Sequence, residues 1–364
     1  MESARCKAFV TAAETGSFSK AGEVLGYTPS GVSQLVTSLE RELGLPLLGR
    51  NRKGVTLTEN GRRLLPAVRE FLQQENRIYQ LAGEMSGLLV GSVTIATYSS
   101  VATHWLPQVI RRFRARYPHI QIKLMEGIRQ EIIQWLEDKA ADLAFFSHKA
   151  PMPYDWIPLA EDRMVAVLPP GHPLADRGSY PLAQCAQEDF IMPALGRDDD
   201  VLGLLETHGL EPKIAFTTLD TVSALAMIQN DLGMSIMNEL ITKSWPGKVA
   251  ILPLDPPQQL TLGVAVPSLP RAAPAVKAFL QFAVQALTQG QAEGEKKTTP
   301  RAEIFACGVA VCRQGLGPSQ WTTSSPATQS TVRVLPGATS SAIIFRPTRV
   351  STVCWRNRRR GRAP

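Results

Sequence analysis

Two short amphipathic runs around a glycine constrain the fold of this chain more than any other feature. They lie in the stretch SFSKAGEVLGYTPSGVSQLVTSLERELG, residues 17–44. A serine can cap the first run, and Gly26 suits the left-handed conformation that ends a helix. Thr28 is a good N-cap for the second run, and Pro29 can begin it because a proline needs no N–H there. The pattern predicts a helix, a short turn and a second helix.

The second of these helices has one apolar face and one polar face. Its apolar face carries Val32, Val36 and Leu39 at helical spacing. Small hydroxyl side chains and an amide on the other face can reach base edges in a DNA major groove. These candidate base-reading residues are Ser30, Ser33, Gln34 and Thr37. A three-helix bundle with a polar outer face would give the same pattern, so this pattern alone leaves both interpretations open.

The next segment, LGRNRKGVTLT, indicates two short strands around a basic turn. It places Arg50, Arg52 and Lys53 directly after the helical pair, which is where a winged helix carries its wing. Cations in a wing contact phosphates, and such contacts supply salt-dependent affinity and set the register on DNA. A solvated surface turn is the alternative, and the basic clustering favours the wing.

A long helical pattern runs from Thr58 to about Met85. Its seam repeats every 3.5 residues on average, which is the period of a coiled coil. The seam consists of Leu64, Val68, Phe71, Glu75, Ile78, Ala82 and Met85. We expect too little chain around this helix to bury the seam within one subunit. The pattern therefore predicts a dimer formed through this helix.

After Gly87 the chain alternates between strand-like and helix-like segments for about 200 residues. This alternation predicts an α/β domain with a mostly parallel sheet, arranged as two lobes with a cleft between them. The charges differ along the chain: residues 1–65 hold 9 Lys/Arg against 6 Asp/Glu, and residues 91–290 hold 16 against 20. A mildly basic head on an acidic trunk suggests that the head faces nucleic acid.

The last segment, residues 291–364, has a different composition. It is rich in Thr, Ser, Pro, Gly and Arg, it carries 12 Lys/Arg against 3 Asp/Glu, and it shows no sustained helical period. We expect a mostly disordered basic tail. It could bind nucleic acid, or it could be sequence translated beyond a lost stop codon. We favour the second because the α/β domain already closes with its final helix.

Other classes of protein fit the sequence poorly. It contains no phosphate-binding loop, no serine nucleophile elbow and no zinc-protease motif, so we expect no catalytic residues and no cofactor. Five histidines and five cysteines show no convincing ligand spacing, so we expect no metal. The N-terminus MESARCKAFV lacks the apolar core of a secretory signal, and we expect a cytoplasmic protein without membrane contact. A secreted solute-binding protein or a DNA-architectural protein would leave the head or the trunk without a role.

The order of these parts resembles the LysR-type transcriptional regulators. The resemblance covers residues 1 to about 290 and rests on FVTAAETGSFSKAGEVLGYTPSGVSQLVTSLERELGLPLLGR, GVTLTENGRRLLP, WLPQVIRRFRARYP, ADLAF, LPPGHPLA and LGMSIMN. It implies an all-α winged helix-turn-helix, a linker helix and a two-lobed, periplasmic-binding-protein-like α/β effector domain. The implied divisions are 1–58, 59–87 and 88–290, with lobe I at 91–163 plus 267–290, lobe II at 164–266, and the tail at 291–364.

The resemblance also implies a function and partners. The protein would be a sequence-specific regulator that binds double-stranded promoter DNA, dimerises through the linker helix and forms a tetramer. RNA polymerase would be a partner if the protein is an activator. The implied DNA-binding set is Thr28, Pro29, Ser30, Ser33, Gln34, Thr37, Arg50, Arg52 and Lys53. Pro29 and Gln34 replace a Gln and an Arg that are common in the family, so base preference does not transfer.

A small-molecule effector would bind between the two lobes. Hydroxyls at the start of a helix, as in the stretch TYSSVATH, can form an anion site together with free backbone N–H groups. The implied effector-binding set is Ser99, Ser100, Ile128, Ser147, His148, Asp220 and Thr221. For each residue, ordinary helix capping is the alternative. We expect the acidic run at 198–200 to be a solvated loop, with a cation site as the second possibility.

Overall fold

Three helices and a two-stranded hairpin form the N-terminal head. The computed structural model describes residues 1–51, 54–86, 89–243, 245–294, 322–325 and 328–331. The head contains α1 (Ser3–Thr15), α2 (Phe18–Leu25), α3 (Pro29–Leu43), β1 (Leu48–Asn51) and β2 (Gly54–Leu57). The two strands pair antiparallel. The predicted helix-turn-helix and its wing strands are confirmed, while Arg52 and Lys53 lie outside the described residues.

The helix ends of the head follow the signals in the sequence. The Ser17 side chain accepts a hydrogen bond from the backbone N–H of Lys20 at the start of α2. Thr28 accepts one from the backbone N–H of Gly31 at the start of α3. Gly26 ends α2 with φ at 72°, a left-handed conformation that a Cβ would strain. These local bonds fix where the chain turns between α2 and α3.

The linker helix α4 (Glu59–Met85) is buried at its first half and exposed at its second. Val68 is buried in the core of the head, and Phe71 packs against that core. Ile78 and Met85 are 67% and 90% exposed. The expectation that one subunit cannot bury the seam was therefore wrong for the first half, because α1 and the wing cover it.

Glu75, the polar member of the seam, is paired within the subunit. Its carboxylate accepts a hydrogen bond from Ser3 Oγ at 2.6 Å and lies 3.1 Å from Lys7 Nζ. These partners, led by the Ser3 hydrogen bond, hold the pKa of Glu75 below its ordinary value. The seam therefore changes from intramolecular packing to open surface close to this residue.

The trunk is built around one mixed sheet with the strand order β10–β6–β11–β5–β3–β4. Its strands are β3 (Gly91–Thr97), β4 (Ile120–Glu126), β5 (Leu143–Ser147), β6 (Asp155–Leu168), β10 (Ser235–Asn238) and β11 (Ala250–Val266). Strand β3 runs parallel to β4 and β5, while β11 runs antiparallel to both β5 and β6. The sheet is therefore parallel at one end only, because β6 and β11 pass between the lobes in opposite directions.

Each of the two lobes has its own hydrophobic core. One contains Ala96, Ala144 and Ala265, and the other contains Phe190 and Leu204. The first crossing lies at the expected place in β6. The second lies within β11, between Leu260, which packs against the lobe II core, and Leu262, where pairing with β5 of lobe I begins, and not at the expected boundary of residues 266 and 267. Nearer the lobe II end, the pairing of β11 with β6 is interrupted between Pro253 and Gln258, because prolines there cannot donate to the ladder.

The remaining elements cover the sheet and complete the lobes. The helices are α5 (Ser99–His104), α6 (Leu106–Arg116), α7 (Arg129–Glu137), α8 (Asp199–Thr207), α9 (Thr221–Gln229), α10 (Glu239–Thr242) and α11 (Pro274–Gly294). The other strands are β7 (Tyr180–Pro181), β8 (Asp189–Met192) and β9 (Lys213–Thr217). Strand β7 pairs with β11, and β8 pairs in parallel with β9.

The structure describes three short pieces of the segment 291–364. Helix α11 continues to Gly294, which is beyond the expected end of the trunk. Strands β12 (Thr322–Ser325) and β13 (Thr328–Thr331) pair antiparallel with each other. The rest of the predicted disordered tail lies outside the described residues.

Gly61 provides a test of the packing between head and linker. A Cβ at this position would collide with the backbone carbonyl oxygen of Leu47, which cannot turn aside as the end of a side chain would. Gly61→Ala should therefore lower the free energy of unfolding by about 1–3 kcal/mol, the usual cost of overpacking. Urea denaturation followed by circular dichroism measures this change.

Gly203→Ala in α8 is the matched control. A Cβ there would meet only Lys149 Nζ at 3.6 Å, which is an ordinary contact. Helix propensity predicts a gain of up to about 1 kcal/mol for this variant. Equal stability of Gly61→Ala and the unaltered protein would contradict the packing described above.

Candidate DNA-binding surface and inter-lobe cleft

The first two turns of α3 present polar side chains to the outside of the head. Ser30 and Gln34 are exposed, as are Thr28 and Pro29 at the start of the helix. The opposite face is fully buried through Val32, Val36 and Leu39. Ser33 and Thr37 are half-buried at the edge of the polar face. The helix is thus anchored by one face and free on the other, which is what insertion into a groove requires.

Arg50 joins the wing to α3. Its Nη2 donates a hydrogen bond to Thr37 Oγ1 at 2.9 Å, and its guanidinium lies 5.2 Å from the centre of the Phe18 ring. Strand β1 is therefore held against the two helices by a cation whose side chain stays exposed. This arrangement brings a candidate phosphate-binding group next to the candidate base-reading face.

Four polar side chains meet in the cleft between the lobes. Arg129 Nη1 donates to Ser147 Oγ at 2.9 Å and to the Ser147 carbonyl oxygen at 2.7 Å. Ser147 Oγ in turn donates to Asp200 Oδ1 at 2.7 Å. Tyr98 OH lies 3.3 Å from Asp200 Oδ2 and 3.1 Å from Ser147 Oγ. Asp200 belongs to lobe II, and the other three residues belong to lobe I.

The groups of this cluster are desolvated. Arg129 is 6% exposed and its guanidinium stacks over Phe146 at 5.2 Å. Burial raises the pKa of the Tyr98 hydroxyl above its ordinary value, so it is a protonated donor at neutral pH. Burial also raises the pKa of Asp200, in opposition to the Ser147 hydrogen bond and the Arg129 charge. Two positions earlier in the chain, Asp198 has its pKa raised to about 6 by burial and by Asp200.

The acidic run at 198–200 is not the solvated loop that we expected. Asp198 caps α8, since its Oδ1 accepts the backbone N–H groups of Asp200 and Val201 at 3.1 Å each. A helix N-terminus favours a carboxylate because its first N–H groups have no helical partner. Three consecutive acids at the start of an amphipathic helix were the signal for this cap. The sequence alone did not show that Asp200 reaches the other lobe.

The predicted effector-binding residues fall into two groups. Ser147 lies within the cluster, Ile128 precedes Arg129, and Ser99 and Ser100 open α5 directly after Tyr98. His148 follows Ser147, and its ring lies 5.4 Å from that of Trp156. Burial and the Arg129 charge lower the pKa of His148, which favours its neutral form.

Asp220 and Thr221 form the second group. Asp220 caps α9: its carboxylate accepts the backbone N–H of Ser223 at 2.8 Å and the Ser223 hydroxyl at 2.9 Å. These bonds hold the pKa of the exposed Asp220 below its ordinary value. Asp220 therefore has the capping role that was the alternative, and its effector-binding role stays a prediction.

Sequence reasoning missed three site residues, which are Arg129, Tyr98 and Asp200. Arg129 lies in the loop EGIRQE, which the sequence had already marked as a candidate cleft loop.

The linker helix contacts the trunk through three polar side chains. Arg69 donates to the carbonyl oxygen of Asp138 at 3.4 Å and pairs with Glu14 of the head at 3.0 Å. Gln73 Nε2 donates to the Lys139 carbonyl oxygen at 3.0 Å. The Oε1 atom of Gln80, which is 1% exposed, accepts the backbone N–H of Ala275 in α11 at 3.0 Å. These contacts connect the head, the linker and lobe I.

The described part of the chain offers neither a metal site nor a membrane-spanning helix. No group of three or more His, Cys, Asp or Glu residues there could hold a metal ion. No described helix is long and apolar enough to cross a membrane.

Two family models match the chain. Residues 4–62 match the helix-turn-helix domain of bacterial regulatory proteins of the LysR family, and residues 86–288 match the LysR substrate binding domain. The chain belongs to the LysR family. It is accordingly a DNA-binding transcriptional regulator with a domain for a small-molecule effector.

Relatives and solved structures agree with this family. The chain is 32% identical to YvbU of Bacillus subtilis, an uncharacterised helix-turn-helix transcriptional regulator, over 76% of this chain and 96% of that protein. It is 28% identical to the transcriptional regulator TtuA of Agrobacterium vitis, over 76% and 92%. Solved structures share the fold as well, and two full-length ones show how much of the chain they cover. A full-length OxyR variant of Pseudomonas aeruginosa has a TM-score of 0.62 at 18% identity, over 79% of this chain and 98% of that one. Full-length CbnR in complex with its target DNA has a TM-score of 0.56 at 21% identity, over 79% and 100%.

The contact between linker and trunk makes the stability of this LysR-family regulator depend on pH. Asp142 accepts the backbone N–H of Thr94 at 2.8 Å and lies 3.4 Å from Gln73 Nε2. Burial raises the pKa of Asp142 to about 6, from an ordinary value of 3.8. The folded state therefore holds this proton to higher pH than the unfolded state does. The contribution of Asp142 to stability is full below about pH 4 and is lost as the pH rises through about 6.

Asp142→Asn should make the fall in unfolding free energy between pH 4 and pH 6 shallower. The amide oxygen can still accept the Thr94 N–H, so the hydrogen bond remains while the titration is removed. Urea denaturation at half-unit pH steps measures the slope, and Asp176→Asn at an exposed position controls for the lost charge. An unchanged slope in Asp142→Asn would contradict the desolvation of this carboxylate.

Proposed function

We propose that α3 is the recognition helix and that the wing contacts the DNA backbone beside it. The observation that carries this proposal is the bond between Arg50 and Thr37, which joins the wing to the polar face of α3. Ser30, Ser33, Gln34 and Thr37 would contact base edges from the major groove. Thr28 and Pro29 would lie at the approach of the helix to the groove. Arg50, together with Arg52 and Lys53 outside the described residues, would contact phosphates.

The exposed half of α4 supports pairing of two subunits. Ile78, Tyr79, Leu81 and Met85 lie within two turns and all are at least 41% exposed. An apolar stripe of this kind on a helix is stabilised by a second copy of the same helix, as in a coiled coil. A dimer would present two copies of α3 to two half-sites of promoter DNA. Two such dimers would form the proposed tetramer.

The inter-lobe cleft supports control by a small molecule. Tyr98, Arg129 and Ser147 of lobe I face Asp200 of lobe II, so a ligand bound among them contacts both lobes. Ser99, Ser100, Ile128 and His148 are neighbours of these groups in the chain, and Asp220 and Thr221 would complete the site from lobe II. An effector can act only through different affinities for the two lobe arrangements. We propose that lobe movement reaches the head through the Gln80 and Arg69 contacts of α4.

Several features of this proposal concern the whole protein. The division at 1–58, 59–87 and 88–290 places the DNA-binding, pairing and effector roles on successive segments. The protein would act in the cytoplasm, without a membrane partner and without a catalytic step. RNA polymerase would be a partner if the bound protein activates transcription.

The DNA-binding proposal is tested by removing two base-reading side chains. The double variant Ser30→Ala, Gln34→Ala should lose about 10- to 100-fold in affinity for its operator, because a base contact contributes about 1–3 kcal/mol. Its weak, salt-sensitive binding to unrelated DNA should stay nearly the same, since the phosphate contacts remain. Footprinting on the DNA upstream of its own gene, beside competition with unrelated DNA, measures both quantities.

Gln74→Ala is the matched control, because this glutamine is exposed on α4 and is distant in sequence from the recognition helix. It should protect the operator as the unaltered protein does. If the double variant keeps its full preference for the operator, α3 does not read the bases.

The pairing proposal is tested at Ile78, whose side chain is 67% exposed in the single chain. Ile78→Asp should shift the protein from dimer or tetramer to monomer, because two carboxylates would be buried against each other at the helix pair. The monomer should stay folded because Ile78 contributes little to its own subunit. Sedimentation equilibrium gives the mass, and Gln187→Asp at an exposed position of lobe II should leave it unchanged. An unchanged mass for Ile78→Asp would place the subunit contact elsewhere.

A further inference from the structure

The Asp200 carboxylate lies in a frame of donors supplied by the opposite lobe. Each of its oxygens has one hydroxyl partner, with Ser147 Oγ at 2.7 Å from Oδ1 and Tyr98 OH at 3.3 Å from Oδ2. Arg129 Nη1 in turn donates to the Ser147 hydroxyl oxygen at 2.9 Å. Two hydroxyl donors backed by a buried guanidinium are a typical site for a carboxylate.

This frame is built from buried lobe I residues and is held in place without help from Asp200. Ser147 is fully buried and Arg129 is 6% exposed. Arg129 is fixed by the Phe146 ring and by the carbonyl oxygen of Ser147 at 2.7 Å. Asp200, in contrast, reaches the frame from the first turn of α8, which packs on the core of lobe II. The frame and the carboxylate therefore belong to parts that can separate.

We propose that Asp200 is an internal stand-in for the effector and that the effector carries a carboxylate that replaces it. This inference rests on the proposed role of the cleft in effector binding, and it names the chemical class of the effector as a small carboxylic acid anion. The bound effector accepts hydrogen bonds from Ser147 and Tyr98 in the same positions as Asp200, while Asp200 returns to solvent. Asp200 is then a residue that sets affinity by competition.

Charge favours this exchange. Asp200 carries a charge that opposes ionisation of a second desolvated carboxylate, Asp198, and the Arg129 guanidinium attracts Asp200. Release of Asp200 to water restores its hydration, and the incoming carboxylate takes over the attraction of Arg129. Exchange of one anion for another leaves the net charge of the frame unchanged. A neutral ligand would leave Arg129 without that partner, which is costly for a buried cation.

The exchange also supplies the link between ligand and lobe arrangement. With Asp200 in the frame, the lobes are joined directly by two hydrogen bonds. With a ligand carboxylate in the frame, those direct bonds are absent and the body of the ligand bridges the cleft instead, while the β6–β11 strand pair joins the lobes in both states. The two states therefore differ in the contacts between lobes, which is the difference in affinity that control by an effector requires.

The test measures binding of sodium acetate, the smallest probe that carries this carboxylate chemistry, to the full-length protein. If Asp200 holds the frame more than nine-tenths of the time, its removal should lower the apparent Kd for acetate at least 10-fold. Asp200→Ala and Asp200→Asn should both show this gain by NMR titration and by a rise in thermal midpoint. The second variant keeps the size of the side chain, so it provides the comparison if the first one does not fold.

Three controls accompany the measurement. Asp199→Ala removes the neighbouring carboxylate of α8 and should bind acetate as the unaltered protein does. Arg129→Gln added to Asp200→Asn should abolish the gain. Sodium chloride at equal ionic strength, and acetamide as the neutral analogue, should produce no rise in thermal midpoint.

The outcomes separate this inference from the proposed function. Equal acetate affinity for the unaltered protein and both Asp200 variants would overturn the stand-in role, even if operator footprints remain intact. A gain that acetamide reproduces would overturn the carboxylate class. Absence of an operator footprint for the unaltered protein would refute the proposed function instead, whatever acetate does.

Discussion

The antiparallel pairing of β6 with β11 is the constraint on which the trunk depends. The two strands are 14 and 17 residues long, and they pair from Asp155 with Val266 at one end to Leu168 with Ala250 at the other. Both lobes are connected by this strand pair, so each lobe keeps its own core while the two lobes share the same two strands. The ladder is interrupted between Pro253 and Gln258, where β11 pairs with β7 of lobe II instead.

The linker helix has two different surfaces because two different partners are available to it. Its first half is covered by the head, where Gly61 allows the helix to approach Leu47 and Val68 enters the core. Its second half carries polar side chains toward the trunk, with Gln80 bonded to α11, and leaves Ile78 and Met85 exposed. One helix thus connects the helix-turn-helix head, the exposed stripe proposed for subunit pairing and the effector domain.

Local signals made much of the fold predictable. Thr28 and Pro29 mark the start of α3, and Thr58 marks the start of α4, because capping depends on residues within one turn. The end of α4 at Met85 also agrees with the pattern. Residues Ser30, Ser33, Gln34 and Thr37 could be placed on one face because helical spacing determines faces.

The rest could not be predicted because it depends on contacts between distant segments. Ser147 and Asp200 are 53 residues apart, and Tyr98 and Asp200 are 102 apart, so no local pattern reports their meeting. The second crossing between the lobes was misplaced for the same reason. The pairing of Ala265 with Ala144 shows that the end of β11 already belongs to the lobe I sheet, and only the folded structure reveals that pairing. The burial of the first half of α4 likewise depends on how α1 packs against it.

Dimethyl sulfate methylation interference on the operator tests the central claim most directly, because it reports which groove the protein enters. Methylation of guanine N7 lies in the major groove and that of adenine N3 in the minor groove. A dimer with α3 in the major groove predicts interference by N7 methylation in two clusters, separated by a multiple of about 10 base pairs on one face of the duplex. Interference confined to adenine N3, or spread without two clusters, would contradict the assignment of α3 as a paired recognition helix.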